Sequence, residues 1–223
     1  MSEPFHRAMP SKSQSGVEVK MKGQTKIVSV LLIVLLASAA IGMVTPWVYS
    51  MIQKKNDMKS VSDVYNFFQT LDTTIRNIAQ NGGEEALILE VPGKFEIIPD
   101  ALSSDDNSNS ILFMMESKIS LMAVGGWIPL NTPNINETAT LGIDPPSVIF
   151  GKAEKSGDKI EVQYKLWYRA LNDTSGNLYK IVLNTSDDET ISTTTGAMRI
   201  QRLGSKKITN GKTLTITEIN IIV

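Results

Sequence analysis

Ile27-Val-Ser-Val-Leu-Leu-Ile-Val-Leu-Leu-Ala-Ser-Ala-Ala-Ile-Gly-Met-Val44 is the stretch on which the reading of this chain turns. It lies within a longer run, residues 27–53, whose 27 positions carry no charged side chain. As a helix rising about 1.5 Å per residue, that run extends roughly 40 Å. The hydrocarbon core of a bilayer is about 30 Å thick. The stretch is apolar on every face, whereas a helix on the surface of a soluble domain keeps a polar stripe. Immediately after it come Pro46, Trp47 and Tyr49, then Lys54 and Lys55. Aromatic side chains followed by lysines suit a membrane-water interface. The run therefore predicts a transmembrane helix, with Pro46 able to bend it because proline has no N–H to donate.

Flanking charge sets an expected orientation. Arg7, Lys12, Lys20, Lys22 and Lys26 precede the run, and Lys54, Lys55 and Lys59 follow it. The excess on the N-terminal side places the N-terminus in the cytoplasm. The sequence Asn-x-Ser/Thr occurs at Asn136, Asn172 and Asn184, all C-terminal to the run. These are candidate glycosylation sites, consistent with an external C-terminal domain. A cleaved secretory signal is a competing reading, with Ala37-Ser38-Ala39 as its small-x-small site. The apolar stretch continues past that site through Met43, Val44, Trp47 and Val48, too far for a signal core.

The residues just before the run narrow the choice further. Met21-Lys22-Gly23-Gln24-Thr25-Lys26 places Lys-Gly-Gln directly ahead of an apolar helix. This arrangement resembles the class III (prepilin-type) leader of archaeal type IV pilin-like proteins. The resemblance implies that a membrane prepilin peptidase cuts on the cytoplasmic side between Gly23 and Gln24, with Lys22 and Lys26 contributing to recognition. It also implies that the apolar helix stays on the mature protein and that copies of the chain, or other pilins, are its partners in a filament. Gly23 gives a peptidase a backbone free of side chain. The sequence departs from bacterial pilins at the fifth position after the cut, where they usually carry Glu and this chain has Val28. The assembly register thus stays open, as does the choice of Met1 or Met21 as the start. Removing residues 1–23 takes away four basic and two acidic residues and shifts the net charge from −1 to −3.

Beyond the run the period persists but the composition changes. Val61, Val64, Tyr65, Phe68, Leu71, Ile75 and Ile78 recur at steps of three and four, a single apolar stripe. Asn56, Asp57, Lys59, Asp63, Asn66, Gln69, Asp72 and Arg76 are expected on the other faces. Asn81-Gly82-Gly83 should end the helix. The expected helix runs from about residue 24 to residue 80, bent at residues 42–46, with its outer stripe laid on the following domain.

From residue 85 the period becomes two. Strands are expected in residues 85–91, 94–98, 111–118, 147–152, 159–169, 177–184, 197–203 and 213–223, separated by turn-rich segments such as Ser156-Gly157-Asp158 and Asn210-Gly211. The expected fold is α+β: a long N-terminal hydrophobic helix followed by an antiparallel β-sandwich head, pilin-like by resemblance. The expected organisation is a leader or cytoplasmic tail at 1–23, a transmembrane or filament-core helix at 24–53, an amphipathic extension at 54–83 and an extracellular head at 84–223.

Composition limits the chemistry. The chain has no Cys and only one His, His6. Thiol nucleophiles, disulfides and zinc motifs built on Cys or paired His are excluded, and His6 in a polar tail is ill placed for a serine-type triad. With 22 basic against 23 acidic residues, no basic surplus favours nucleic acid. Asp105-Asp106 and Asp187-Asp188-Glu189 read as solvated loops, not calcium loops. No Gly-x-Ser-x-Gly elbow or phosphate loop is present. Trp127 and Trp167 read as core or sandwich residues in preference to sugar platforms. The sequence predicts no catalytic site, metal, cofactor or small-molecule substrate. Two alternatives remain beside the filament subunit: a single-pass anchored protein whose β domain binds a partner without polymerising, and an enzymatic head built on a pair of carboxylates.

Overall fold

The structure, a computed structural model, describes residues 17–100, 108–186, 189–194 and 196–223, with side chains from residue 26 onward. Among the described residues, one helix, α1 (Val17–Asn81), is followed by twelve strands. The chain divides into two compact units between Ile52 and Gln53.

The first unit holds the apolar part of α1. Its large side chains are uncovered, from Ile27 (64% exposed) through Leu35 to Ile52. Two of its hydroxyls are satisfied within the helix. Ser38 Oγ donates to the Val34 carbonyl at 2.8 Å, and Thr45 Oγ1 donates to that of Ile41 at 2.7 Å. Such back-bonding removes the cost of placing a hydroxyl in an apolar solvent. Pro46 lies inside the helix. It cannot donate to the Gly42 carbonyl, which leaves one rung of the ladder open.

The second unit begins with the amphipathic part of α1. Val61, Val64, Phe68, Leu71 and Ile75 are fully buried there, joined by Phe67 and Ile78. The stripe read from the sequence is thus the buried face, with Tyr65 half-buried beside it. Asp72 departs from expectation: it is buried, because Tyr168 and Arg76 both meet its carboxylate. The helix stops as expected. Gly82 adopts φ +77° and donates to the Ile78 carbonyl at 2.8 Å, a conformation that glycine reaches without strain.

The head forms two six-stranded sheets. The first contains β1 (Glu84–Ile88), β5 (Thr138–Thr140), β8 (Ala170–Asn172), β9 (Leu178–Asn184), β11 (Ala197–Asn210) and β12 (Lys212–Ile222), in the order β1-β11-β12-β9-β8-β5. The second contains β2 (Lys94–Ile98), β3 (Ser110–Ser117), β4 (Ile128–Pro129), β6 (Ser147–Ser156), β7 (Lys159–Tyr168) and β10 (Ile191–Thr193), in the order β10-β2-β3-β7-β6-β4. The second sheet is antiparallel throughout. The first corrects the all-antiparallel expectation, since β12 pairs with β9 and β5 pairs with β8 in parallel. Alternation reports that a strand is half-buried but does not report the direction of its neighbour. The architecture is one long N-terminal apolar helix followed by two sheets of mostly antiparallel strands.

A single core joins the parts of the second unit. The buried face of α1 shares it with Phe95, Phe113, Leu166 and Tyr168 of one sheet and Leu183, Met198, Ile200, Ile219 and Ile221 of the other. Asn109 stitches the two sheets. It is buried, at φ +56°, a conformation Asn tolerates better than most side chains. Its amide donates to the carbonyls of Tyr168 (2.9 Å) and Ile181 (2.8 Å) and accepts from the Leu183 N–H (2.8 Å).

Candidate functional site

Three features emerge as candidates: the uncovered helix, the segment before it and the external face of the head. In the helix, Ala37, Ser38, Ala39 and Ala40 are consecutive. At about 100° per residue they form a girdle of small side chains, which lets a neighbouring helix approach closely. Nothing in the chain itself requires glycine at position 42, since a Cβ added there meets no atom within 4 Å.

The expected cleavage point lies inside α1. Gly23 and Gln24 are helical in backbone, and Lys26 is exposed. The side chains of Lys22, Gly23 and Gln24 fall outside the described residues. So does the backbone of residues 1–16. A peptidase that takes an extended strand would first have to unwind this turn.

The three Asn-x-Ser/Thr sites differ in access. Asn136 and Asn172 are exposed, and Asn184 is half-buried at the end of β9. Asn136 precedes β5 and Asn172 ends β8, so both belong to the β5 edge of one sheet. Arg169 holds the Asn136 site in place, a role that the sequence did not reveal. Its side chain is buried. Nη1 donates to the carbonyls of Asn134 (2.7 Å) and Asn136 (3.1 Å), while Nε and Nη2 both donate to that of Pro145, at 3.3 and 3.1 Å. Burial draws the guanidinium below its ordinary pKa, and the nearby Asp144 carboxylate opposes this. Asp144 is itself held below the usual carboxylate range, first by the Thr140 N–H and also by the Asn134 amide and the Arg169 charge. Arg169 thus organises a loop from three carbonyls, a structural use of a buried cation.

Trp127 and Trp167 are half-buried and lie apart from the core. They flank Phe150 on the outer face of the second sheet, each 6.4 Å from it between ring centroids. Lys165 Nζ lies 5.0 Å from the Trp127 ring and 5.2 Å from the Phe150 ring. Cation-π contact covers these faces from within the head. Asp105-Asp106 and Asp187-Asp188 lie outside the described residues. Among the described residues, no group of three or more His, Cys, Asp or Glu side chains could hold a metal ion.

Compared with protein-family models, with curated proteins and with solved structures, the chain gives no match. Among the described residues, one helix is long and apolar enough to serve as a single membrane span.

Proposed function

We propose that the protein is a structural subunit, major or minor, of an archaeal type IV pilus-like surface filament, anchored in the membrane before assembly. One observation carries the reading. The helix whose amphipathic half supplies the head's core continues, without a break in secondary structure, into a segment whose large apolar side chains are all uncovered. Such a segment needs an apolar environment, first lipid and then neighbouring copies of itself. The Lys22-Gly23-Gln24 sequence ahead of it provides a peptidase site at which lipid anchoring can be converted to assembly. In the proposed sequence of events the precursor inserts with its N-terminus inside, the leader is removed at Gly23, and the helix moves from lipid into a filament core.

With no acidic residue in the apolar segment, no carboxylate is available to pair with the new N-terminal amine, so the stagger of subunits stays open. The alternative is a single-pass anchored protein whose β head binds a partner without polymerising. Intact-mass measurement of the membrane-derived protein tests the processing step. The filament reading expects a chain beginning at Gln24, and an uncut Gly23–Gln24 bond would overturn it.

A further inference from the structure

We propose that the cavity where α1 runs out along the first sheet binds an uncharged, mainly apolar molecule carrying one hydrogen-bond acceptor, such as a ketone or ester carbonyl. The cavity exists because the sheet outlasts the helix. Arg202 stands opposite Ile219, and its N–H donates to the Gly83 carbonyl at 3.2 Å, so the helix ends at the level of Ile219. Ile219 and its neighbour Leu183 are fully buried. Two further rows of the same inward face continue past that level. The first sets Thr217 beside Ile181, and the second sets Thr215 beside Tyr179, with Leu171 of β8 paired to Tyr179 on the other side.

The loop over residues 140–146 closes one side, held where the Leu141 N–H donates to the Asn172 carbonyl at 3.0 Å. The enclosed space is about 420 Å³, and its apolar wall comes from Ala79, Leu141, Leu171 and Ile181. Small-molecule sites span about 300–1,000 Å³ and combine such walls with a few placed polar groups. Charge around this space is already balanced. Arg76 Nη2 lies 3.1 Å from Asp72 Oδ2, and Lys180 Nζ donates to Asp100 Oδ1 at 2.6 Å. Asp144 is met by the Arg169 charge and accepts from the Thr140 N–H at 2.9 Å. An ionic ligand would bring an unmatched charge into apolar surroundings, which is costly. One demand is unmet. Arg76 lines the cavity, and its Nε is buried with no hydrogen-bond partner among the described residues. A buried donor left unmade is destabilising. An acceptor on an otherwise apolar, uncharged molecule answers both conditions.

Benzophenone is the probe, since it carries two phenyl rings and one carbonyl. Under ultraviolet light its carbonyl carbon bonds to a nearby C–H carbon, and that hydrogen passes to its oxygen. The full chain in phospholipid nanodiscs is irradiated with it, and adducts are mapped by peptide mass spectrometry. Adducts should form at Leu141, Leu171 or Ile181 and saturate with probe concentration. Diphenyl sulfoxide, which keeps an acceptor, should suppress them. Diphenylmethane, which has none, should compete about tenfold less well, the worth of one hydrogen bond. Arg76→Lys keeps a positive charge for Asp72 but removes the Nε–H, and should weaken labelling by a similar factor. Leu141→Trp, at an exposed position on the rim, should abolish it by filling the space. Adducts confined to residues 27–52 would show partition into lipid alone and would overturn the proposal. Equal competition by the sulfoxide and diphenylmethane, or unchanged labelling of Arg76→Lys, would overturn it as well.

Discussion

Tyr168 Oη donates a 2.9 Å hydrogen bond to Asp72 Oδ1, and both side chains are buried. The bond ties α1 to the last residue of β7, an inner strand of its sheet. The other carboxylate oxygen, Asp72 Oδ2, lies 3.1 Å from Arg76 Nη2, whose side chain reaches the surface. A buried carboxylate with one partner inside and one charged partner outside is costly to break and specifies how the helix sits on its sheet. Tyr168→Phe should destabilise the head by about 1–3 kcal/mol, the cost of a buried acceptor left unmade. Combined with Asp72→Asn, the two effects should fall short of their sum in a double-mutant cycle read by chemical denaturation of the full chain in detergent. Simple additivity would show that the contact carries no energy.

Two tyrosines should titrate late. Burial pushes the Tyr168 hydroxyl well above its ordinary range, aided by the Asp72 charge and hydrogen bond. Burial likewise pushes Tyr164 up to about 12, with Tyr65 adding to it. The folded state therefore holds protons that the unfolded chain releases near about pH 10. That stabilisation is complete below pH 10 and is lost as pH rises toward the folded values. Ultraviolet titration should show Tyr164 and Tyr168 ionising well above about pH 10, with the denaturation midpoint falling over the same window.

Arg169 makes a sharper claim. Arg169→Met strips the carbonyls of Asn134, Asn136 and Pro145 of their donors, at a cost of about 3 kcal/mol or more. Limited proteolysis should then cut within residues 134–146 while the helix-sheet core stays protected. Cleavage no faster than in the wild-type chain would refute the organising role.

Acid should loosen the same region. Asp144 is lowered by the Thr140 N–H first, and Asp173 by the Asn177 side chain first and its N–H second. Each is therefore more readily ionised in the folded state. Their contribution is full above about pH 3.9 and disappears as pH falls through the lowered values. The wild-type denaturation midpoint should thus drop on acidification more steeply than that of Asp144→Asn.

The large elements were legible because their periodicity is enforced by burial. Val61 to Ile78 marked the helix face, and Val162, Tyr164, Leu166 and Tyr168 marked the inward face of β7. What escaped was non-local. Strands β4, β5, β8 and β10 have two or three residues each, too short to show alternation, and they exist only because a neighbour pairs with them. Strand β11 runs on to Asn210 through a register shift between Arg202 and Gly204, which interrupts the alternation that marks its first half. Asp72, Asn109 and Arg169 look like ordinary surface residues in the sequence. Each is held by partners 24 to 96 positions away that no local pattern announces, with Arg76 added four positions beyond Asp72. The residues that carry the functional reading were legible for the opposite reason: a 27-residue run without charge is a local fact.

The proposed packing of this helix in a filament core is tested most directly by negative-stain microscopy of sheared surface material. Cells making the wild-type chain should shed filaments containing it. Cells making Ala40→Lys should shed none, because the substitution sets a charge in the girdle of small residues where neighbouring helices would meet. Normal filaments from the Ala40→Lys chain, or no filaments from the wild-type chain, would contradict the account.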